Sequence, residues 1–294
     1  MQAMILAAGF GTRLLPHTLL RPKPLFPLLN QPLLLLTIKR LQNAGCDHIV
    51  VNCHHLRKQI SEAVQGMAGV VVLEEEILLG TGGGLRGALT LLRDEPLLVT
   101  NGDIYHTVDF THLCTSHYKN GAKVSLAVHD FPRFNTVRVD NDRVLGFEGS
   151  GDNSCLAFTG LHVINPDILQ DIMPGQFSCI LDCYRRLLAA GKKIAAQRVD
   201  GSFWTDMGTP EDYLHLHGGL LQGSIPCWPE INRPRESPFL IDAAASVADD
   251  LHMDDWNCLG RVVVERDVTL SRVVAWDKVK IAAGSRIADS LLSS

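Results

Sequence analysis

Met4 to Ala8 is an unbroken apolar run that stops at Gly9, the pattern of a short strand buried on both faces. From Pro32 to Ala44 the apolar positions recur with helical spacing, and Gly45 closes the stretch. The same alternation then repeats. "HIVVNC" predicts a strand, Leu56 to Val64 a helix with one polar face, "GVVVLEEE" a strand, Gly83 to Leu92 a helix, and "PLLVTNGD" a strand with a polar end. Strands and helices alternating at this spacing predict βαβ units and a mostly parallel, Rossmann-like sheet with helices on both faces. Ligands of such sheets bind beyond the carboxyl ends of the strands. The polar clusters Gly9 to Arg13 and Asn101 to Asp103 both lie at such ends.

From Ala122 the pattern turns strand-rich, with "AKVSLAVHD", "TVRVD", "RVLGFE" and "LAFTGLHVIN", and the "DND" turn predicts a hairpin. Helical spacing returns at Asp167 to Met173 and Ser178 to Ala190, and "KKIAAQRVD" follows as a strand. In "GSFWTDMGTPEDYLHLH", Thr209 can cap a helix that begins with Pro210 and carries Asp212 three residues after the cap. Pro226, Pro229, Pro234 and Pro238 mark residues 223–238 as a linker after a first domain, 1–222. In the remaining 239–294, Val262, Val268 and Val274 recur six apart, and after a one-residue slip so do Ile281 and Ile287. That rhythm predicts a short β-helix-like tail of about two coils, packed on the main domain or on another copy of the chain; two ordinary hairpins are the alternative.

Composition narrows the function classes. At 294 residues and 46% hydrophobic, the chain can bury a sizeable core. A net charge of −5 leaves no field to draw it to nucleic acid or anionic lipid, so an anionic ligand must be held by local groups. The eight cysteines are scattered without a C-x-x-C, as expected of reduced thiols in a cytoplasmic protein, and no apolar stretch is long enough for a membrane span. His54-His55 and His215-x-His217 lack a third metal ligand at suitable spacing.

The chemistry concentrates in "LAAGFGTRLLPHTLLRPKPL", Leu6 to Leu25. A dinucleotide fingerprint would need a third glycine where Leu14 stands, and a Walker loop would need a terminal G-K-[ST], so neither fits. What remains is a strand breaking into unobstructed backbone N–H groups, an anion nest, with Arg13 and the proline-flanked Lys23 to meet phosphate oxygens; a tight turn with two solvated cations is the alternative. Asp103 and Asp206 could together bind one Mg²⁺, which typically takes one or two carboxylates and fills its shell with water and phosphate oxygens. A phosphate cradle with a Mg²⁺ site points to phosphoryl or nucleotidyl transfer.

"LAAGFGTRL" with "RPKPL" resembles the signature of the sugar-1-phosphate nucleotidyltransferases, the NDP-sugar pyrophosphorylases. "LLGTGGGL", "VTNGD", "FTGLHVIN" and "FWTDMGTPEDY" are similar to that family's later motifs, in the same order, and the likeness spans roughly residues 3–222. The "PKPL" form looks closest to mannose-1-phosphate guanylyltransferases and to bacterial uridylyltransferases of similar size, and the tail resembles that of members carrying a left-handed β-helix. The resemblance implies a GT-A-like fold and formation of an NDP-sugar and pyrophosphate from a nucleoside triphosphate and a sugar 1-phosphate. It assigns nucleotide binding to Leu6, Ala7, Ala8, Gly9, Gly11, Thr12, Arg13, Glu75, Gly80, Thr81 and Gly102. Arg13 would neutralise the departing pyrophosphate, Lys23 would bridge the α-phosphate and the sugar phosphate, and Asp103 and Asp206 would hold Mg²⁺. Asn101, Glu148 and Gly160 would bind the sugar.

Glu75, with Glu76 as the alternative, falls where the family reads the base. A carboxylate there suits guanine's two adjacent donors, which favours GTP with mannose 1-phosphate over UTP or dTTP with another hexose 1-phosphate. One departure stands out: the family's Glu-Lys pair is here Glu148-Gly149, and Arg133 is a candidate substitute for the missing lysine. A catalytically silent, nucleotide-sugar-binding paralogue is the competing reading, but the chain keeps Arg13, Lys23, Asp103 and Asp206. A glycosyltransferase would be expected to carry Asp-x-Asp, which "NGDIYH" lacks.

Overall fold

The computed structural model describes residues 1–147, 155–232 and 237–294, and these form two compact units. The first comprises Met1–Gly9 and Ile38–Trp204, the second Phe10–Thr37 and Thr205–Ser294. Glu148 and Gly149 lie outside the described residues.

Among the described residues, the first unit holds a nine-stranded sheet. From edge to edge its strands are Val70–Glu74, His48–Cys53, Gln2–Leu6, Leu97–Asn101, Cys155–Ile164, Val124–His129, Ile194–Arg198, Arg143–Gly146 and Asn135–Asp140. The first four, built from the apolar runs, are parallel. Cys155–Ile164 runs antiparallel to Leu97–Asn101, Val124–His129 and Asn135–Asp140, so the sheet is mixed, and the two strands of the "DND" hairpin pair antiparallel with each other. Val124, Leu126 and Val128 enter a core with Leu85 of helix Gly80–Ala88 and with Ile180, Cys183 and Tyr184 of helix Ile180–Ala189. Ser125, between them, meets His117 of helix Phe110–Asn120 at 2.8 Å, so helices cover both faces.

That last helix is absent from the pattern-based prediction although both its ends are signalled. Asp109 accepts a hydrogen bond from the His112 N–H at 3.0 Å, and Gly121 closes it in the left-handed region. Its buried positions are Phe110, Leu113, Cys114 and His117, and the histidine breaks the apolar stripe.

In the second unit, helix Pro210–Gln222 begins as expected, the Thr209 hydroxyl accepting from the Asp212 N–H at 3.1 Å. The tail pairs in parallel throughout, which excludes the hairpin alternative. One ladder joins Phe239–Ile241, His252–Leu259, Thr269–Ala275 and Arg286–Leu292; a second joins Ser246–Val247, Val263–Val264 and Lys280–Ile281. Partners such as Ser246 with Val263 and Val263 with Lys280 lie 17 residues apart. Four rungs in one ladder exceed the two coils expected from spacing. Val262, Val268, Val274 and Ile281 are all buried. No helix among the described residues is long and apolar enough to cross a membrane, and all eight cysteines are free thiols.

Candidate active site

In the first unit, parallel registry sets Leu6 level with Asn52 on one side and Asn101 on the other. The residues that follow Leu6 therefore start at the same sheet edge as "NGD". Ala7 and Ala8 are buried, and the Ala7 N–H donates to Asn52 Oδ1 at 2.9 Å. Asn52 Nδ2 in turn donates to Glu75 Oε1 at 2.7 Å, and Glu75 Oε2 accepts from the Leu79 N–H at 3.2 Å. Glu75 is only 3% exposed. Its carboxylate faces inward and spans from the Asn52 amide to the backbone just before Gly80. Glu76 is exposed.

The Gly102 N–H donates to Leu6 O at 2.8 Å, and the half-buried Asp103 follows in the turn after strand Leu97–Asn101. Asn101 and Gly160 come together: a Cβ on Gly160 would fall 2.5 Å from Asn101 Nδ2. Gly80 opens its helix, and the Thr81 hydroxyl accepts the Ile180 N–H at 3.0 Å, which joins this glycine-rich helix to the start of the next. Arg133 lies with its guanidinium 5.1 Å from the centre of the Phe134 ring. Trp204 donates its indole N–H to Thr159 O at 2.8 Å and packs edge-on against His129, Phe131 and Phe134.

The second unit assembles the charged groups. Gly11 sits at φ +64°, where a Cβ would meet Thr18 at 2.9 Å and Lys23 at 3.4 Å, so the turn into Thr12–Leu14 requires glycine. Thr12 and Arg13 are exposed. Arg13 Nη2 pairs with Asp206 Oδ2 at 3.1 Å. Lys23, only 5% exposed, donates from Nζ to the Asp206 backbone oxygen at 2.8 Å. Asp206 Oδ1 accepts the Gly208 N–H at 3.2 Å. Two cations widely separated from it in sequence thus converge on one residue. Gly208 belongs to the same cluster: a Cβ there would lie 2.5 Å from Arg13 Nη1 and 2.7 Å from Asp206 Oδ2.

Asn52 and Gly208 escape a reading by motif roles alone. Asn52 left a trace, being the only amide side chain in the apolar strand "HIVVNC", where a buried polar group demands partners. Gly208 stands in the quoted "FWTDMGTPEDY" without an assigned task. Among the described residues no group of three or more His, Cys, Asp or Glu side chains is arranged to hold a metal.

The first unit thus carries a mixed α/β sheet, and the second an Arg–Lys–Asp cluster. Residues 2–223 match the family model described as nucleotidyl transferase, and the chain belongs to that family. Mannose-1-phosphate guanylyltransferase of Mycobacterium tuberculosis is 32% identical over 295 residues, covering 96% of this chain and 81% of that protein. UTP–glucose-1-phosphate uridylyltransferase of Synechocystis is 29% identical over 251 residues, covering 76% of this chain and 64% of its own length. Among solved structures, HddC from Yersinia pseudotuberculosis complexed with GMP-PN shares the fold. Its TM-score is 0.62 at 22% identity, with 73% of this chain and 97% of that chain covered.

Proposed function

We propose that the chain joins a nucleoside triphosphate to a sugar 1-phosphate, with GTP and mannose 1-phosphate as the pair, releasing pyrophosphate and an NDP-sugar. The observation that carries this reading is the convergence of Arg13 and Lys23 on Asp206. An oxygen of the sugar phosphate attacks the α-phosphorus in line; that bond forms as the bond to the bridging α–β oxygen breaks, and the electron pair leaves with pyrophosphate. The attacking phosphate is already ionised, so no general base is needed, and the task of the protein is alignment and charge neutralisation. Arg13, with a side chain 54% exposed, is the group that follows the leaving pyrophosphate, and the buried Lys23 is held to bridge the two reacting phosphates. Leu6, Ala7, Ala8, Gly9, Gly11 and Thr12 would bring backbone donors to the triphosphate, with Gly80, Thr81 and Gly102 completing the nucleotide site. A Cβ at Gly9 would meet no protein atom within 4 Å. The protein therefore does not itself demand glycine there, whereas a triphosphate against the backbone would.

Nucleotidyltransferases generally use a divalent metal, and the donors here suit one. Asp103 and Asp206 offer hard oxygens, and each Asp206 oxygen, though engaged by Arg13 or by the Gly208 N–H, retains a further lone pair. Mg²⁺ on these two carboxylates would supply charge to the phosphates. Asn101 and Gly160 would meet the sugar. We read residues 1–222 as the catalytic domain, 223–238 as a linker and 239–294 as a short left-handed β-helix. The choice of GTP and mannose rests on the greater identity and coverage of the guanylyltransferase relative.

The test is a pyrophosphate-release screen crossing GTP, UTP, dTTP, CTP and ATP with mannose-, glucose-, N-acetylglucosamine- and N-acetylmuramate 1-phosphates. Release with GTP and mannose 1-phosphate above every other pair is expected; another best pair would replace the substrate assignment, and no release from any pair would favour a silent paralogue. In the active pair, Asp103→Asn and Asp206→Asn should each abolish Mg²⁺-dependent turnover with the fold intact by circular dichroism. Full activity in either would remove that residue from the metal site.

A further inference from the structure

The segment that carries Lys23 is seated on the C-terminal tail. Trp276, 3% exposed at the end of strand Thr269–Ala275, touches it on both sides of the lysine. Phe26 meets the indole edge-on at 4.6 Å between ring centres, His17 does so at 5.8 Å, and the Arg21 guanidinium stands 5.0 Å from the ring centre. The indole N–H donates to the Tyr213 hydroxyl at 3.2 Å, and that hydroxyl donates to Pro27 O. His17 Nδ1 is also 2.7 Å from the Ser293 hydroxyl. Further along, Asn30 Nδ2 donates to Leu259 O at 2.8 Å, and the Leu29 N–H donates to His217 Nε2 at 3.3 Å. Residues 17 to 30 are thus clamped by tail and helix together, with Lys23 between the contacts at 21 and 26.

We propose that Trp276 of the tail is a positioning residue for the active site of its own chain, holding Lys23 on the Asp206 carbonyl. The inference rests on the reading of Lys23 as the phosphate bridge. The Lys23 ammonium donates to the Asp206 backbone oxygen, and the packing of the buried neighbours Pro24 and Leu25 sets where its stem starts. An aliphatic stem has many rotamers, so a displacement of the backbone at 21 to 26 would move the ammonium by a comparable amount. Misplacement of a catalytic group by about 1 Å can cost on the order of a hundredfold in rate.

The experiment is a double-mutant cycle between Trp276→Ala and Lys23→Ala, assayed with GTP and mannose 1-phosphate or with the pair of highest turnover in the screen. Trp276→Ala should lower kcat roughly ten- to a hundredfold. Trp276→Phe should recover most of it, and Trp276→Ala should cost nothing further in the Lys23→Ala background. Val264→Ala, a cavity in the tail core, should reduce Tm with kcat unchanged. Independent, multiplicative losses from Trp276 and Lys23, or an equal kcat loss in Val264→Ala, would overturn the positioning role in favour of general destabilisation. If Trp276→Ala fails to fold, Trp276→Leu, which keeps an apolar side chain without the ring, enters the same cycle with the same outcomes. A wild-type rate in Lys23→Ala would instead strike the bridging reading itself, which the cycle separates from failure at Trp276.

Discussion

Asp206 is held at three points, by Arg13 on one carboxylate oxygen, the Gly208 N–H on the other and Lys23 on its carbonyl. A methyl group at Gly208 would press on the Asp206 carboxylate and on the tip of a half-exposed arginine, which can swing into solvent at little cost. Gly208→Ala should therefore leave Tm nearly unchanged while kcat/KM falls by about tenfold or more, measured by pyrophosphate release. A parallel drop in Tm would show that Arg13 cannot give way. Asn52 presents the opposite case. Its amide is buried between the Ala7 N–H and the Glu75 carboxylate, so Asn52→Ala strips a partner from two buried groups at once. That change should cost about 1–3 kcal/mol in urea unfolding and raise KM for the nucleoside triphosphate, since the loop amide is no longer aimed. An unchanged KM would confine Asn52 to stability.

Among the elements, helix Pro210–Gln222 is the one whose start follows most directly from local chemistry. Thr209 caps it, Pro210 occupies the first turn, and Glu211 and Asp212 meet the positive end of the helix dipole. Thr209→Ala should cost about 1 kcal/mol in chemical denaturation, and no loss would mean that water replaces the hydroxyl. Helix Phe110–Asn120 shows why the pattern of apolar residues alone falls short. Its fourth inward position is His117, which reads as polar yet is buried and bonded to Ser125 and, at 3.0 Å, to Asn165. The parallel strands were legible as continuous apolar runs, because both of their faces are covered. The reversal of Cys155–Ile164 was not, since an apolar run reads the same whichever way its neighbours point.

Across the whole molecule, stability should depend on buried imidazoles. Burial pulls His217 from the ordinary 6.5 down to about 4 and His162 down to about 3. Between pH 6.5 and those values the unfolded chain binds protons that the folded chain refuses. The stabilisation from the neutral rings is complete above about pH 6.5 and is lost progressively as pH falls. Urea unfolding from pH 7.5 to 4.5 should show that decline, and His217→Gln should flatten it; a stability independent of pH over that range would contradict the neutral buried state. His217 Nδ1 faces the Tyr213 carbonyl at 2.9 Å and Nε2 faces the Leu29 N–H, so only the neutral ring satisfies both, Nδ1 donating and Nε2 accepting.

By itself the sequence determined the local pieces: the apolar strands, the capped helix at Thr209, the glycine turn behind the first strand and the sixfold rhythm of the tail. These depend on neighbours within a few residues, where spacing and side-chain type leave little choice. Only the tertiary structure decided that Arg13 and Lys23 converge on Asp206, that Glu75 turns inward to Asn52, and that Trp276 lies against the Lys23 segment. Those contacts join residues from 23 to 250 positions apart. They are set by strand registry and core packing, which no local spacing records.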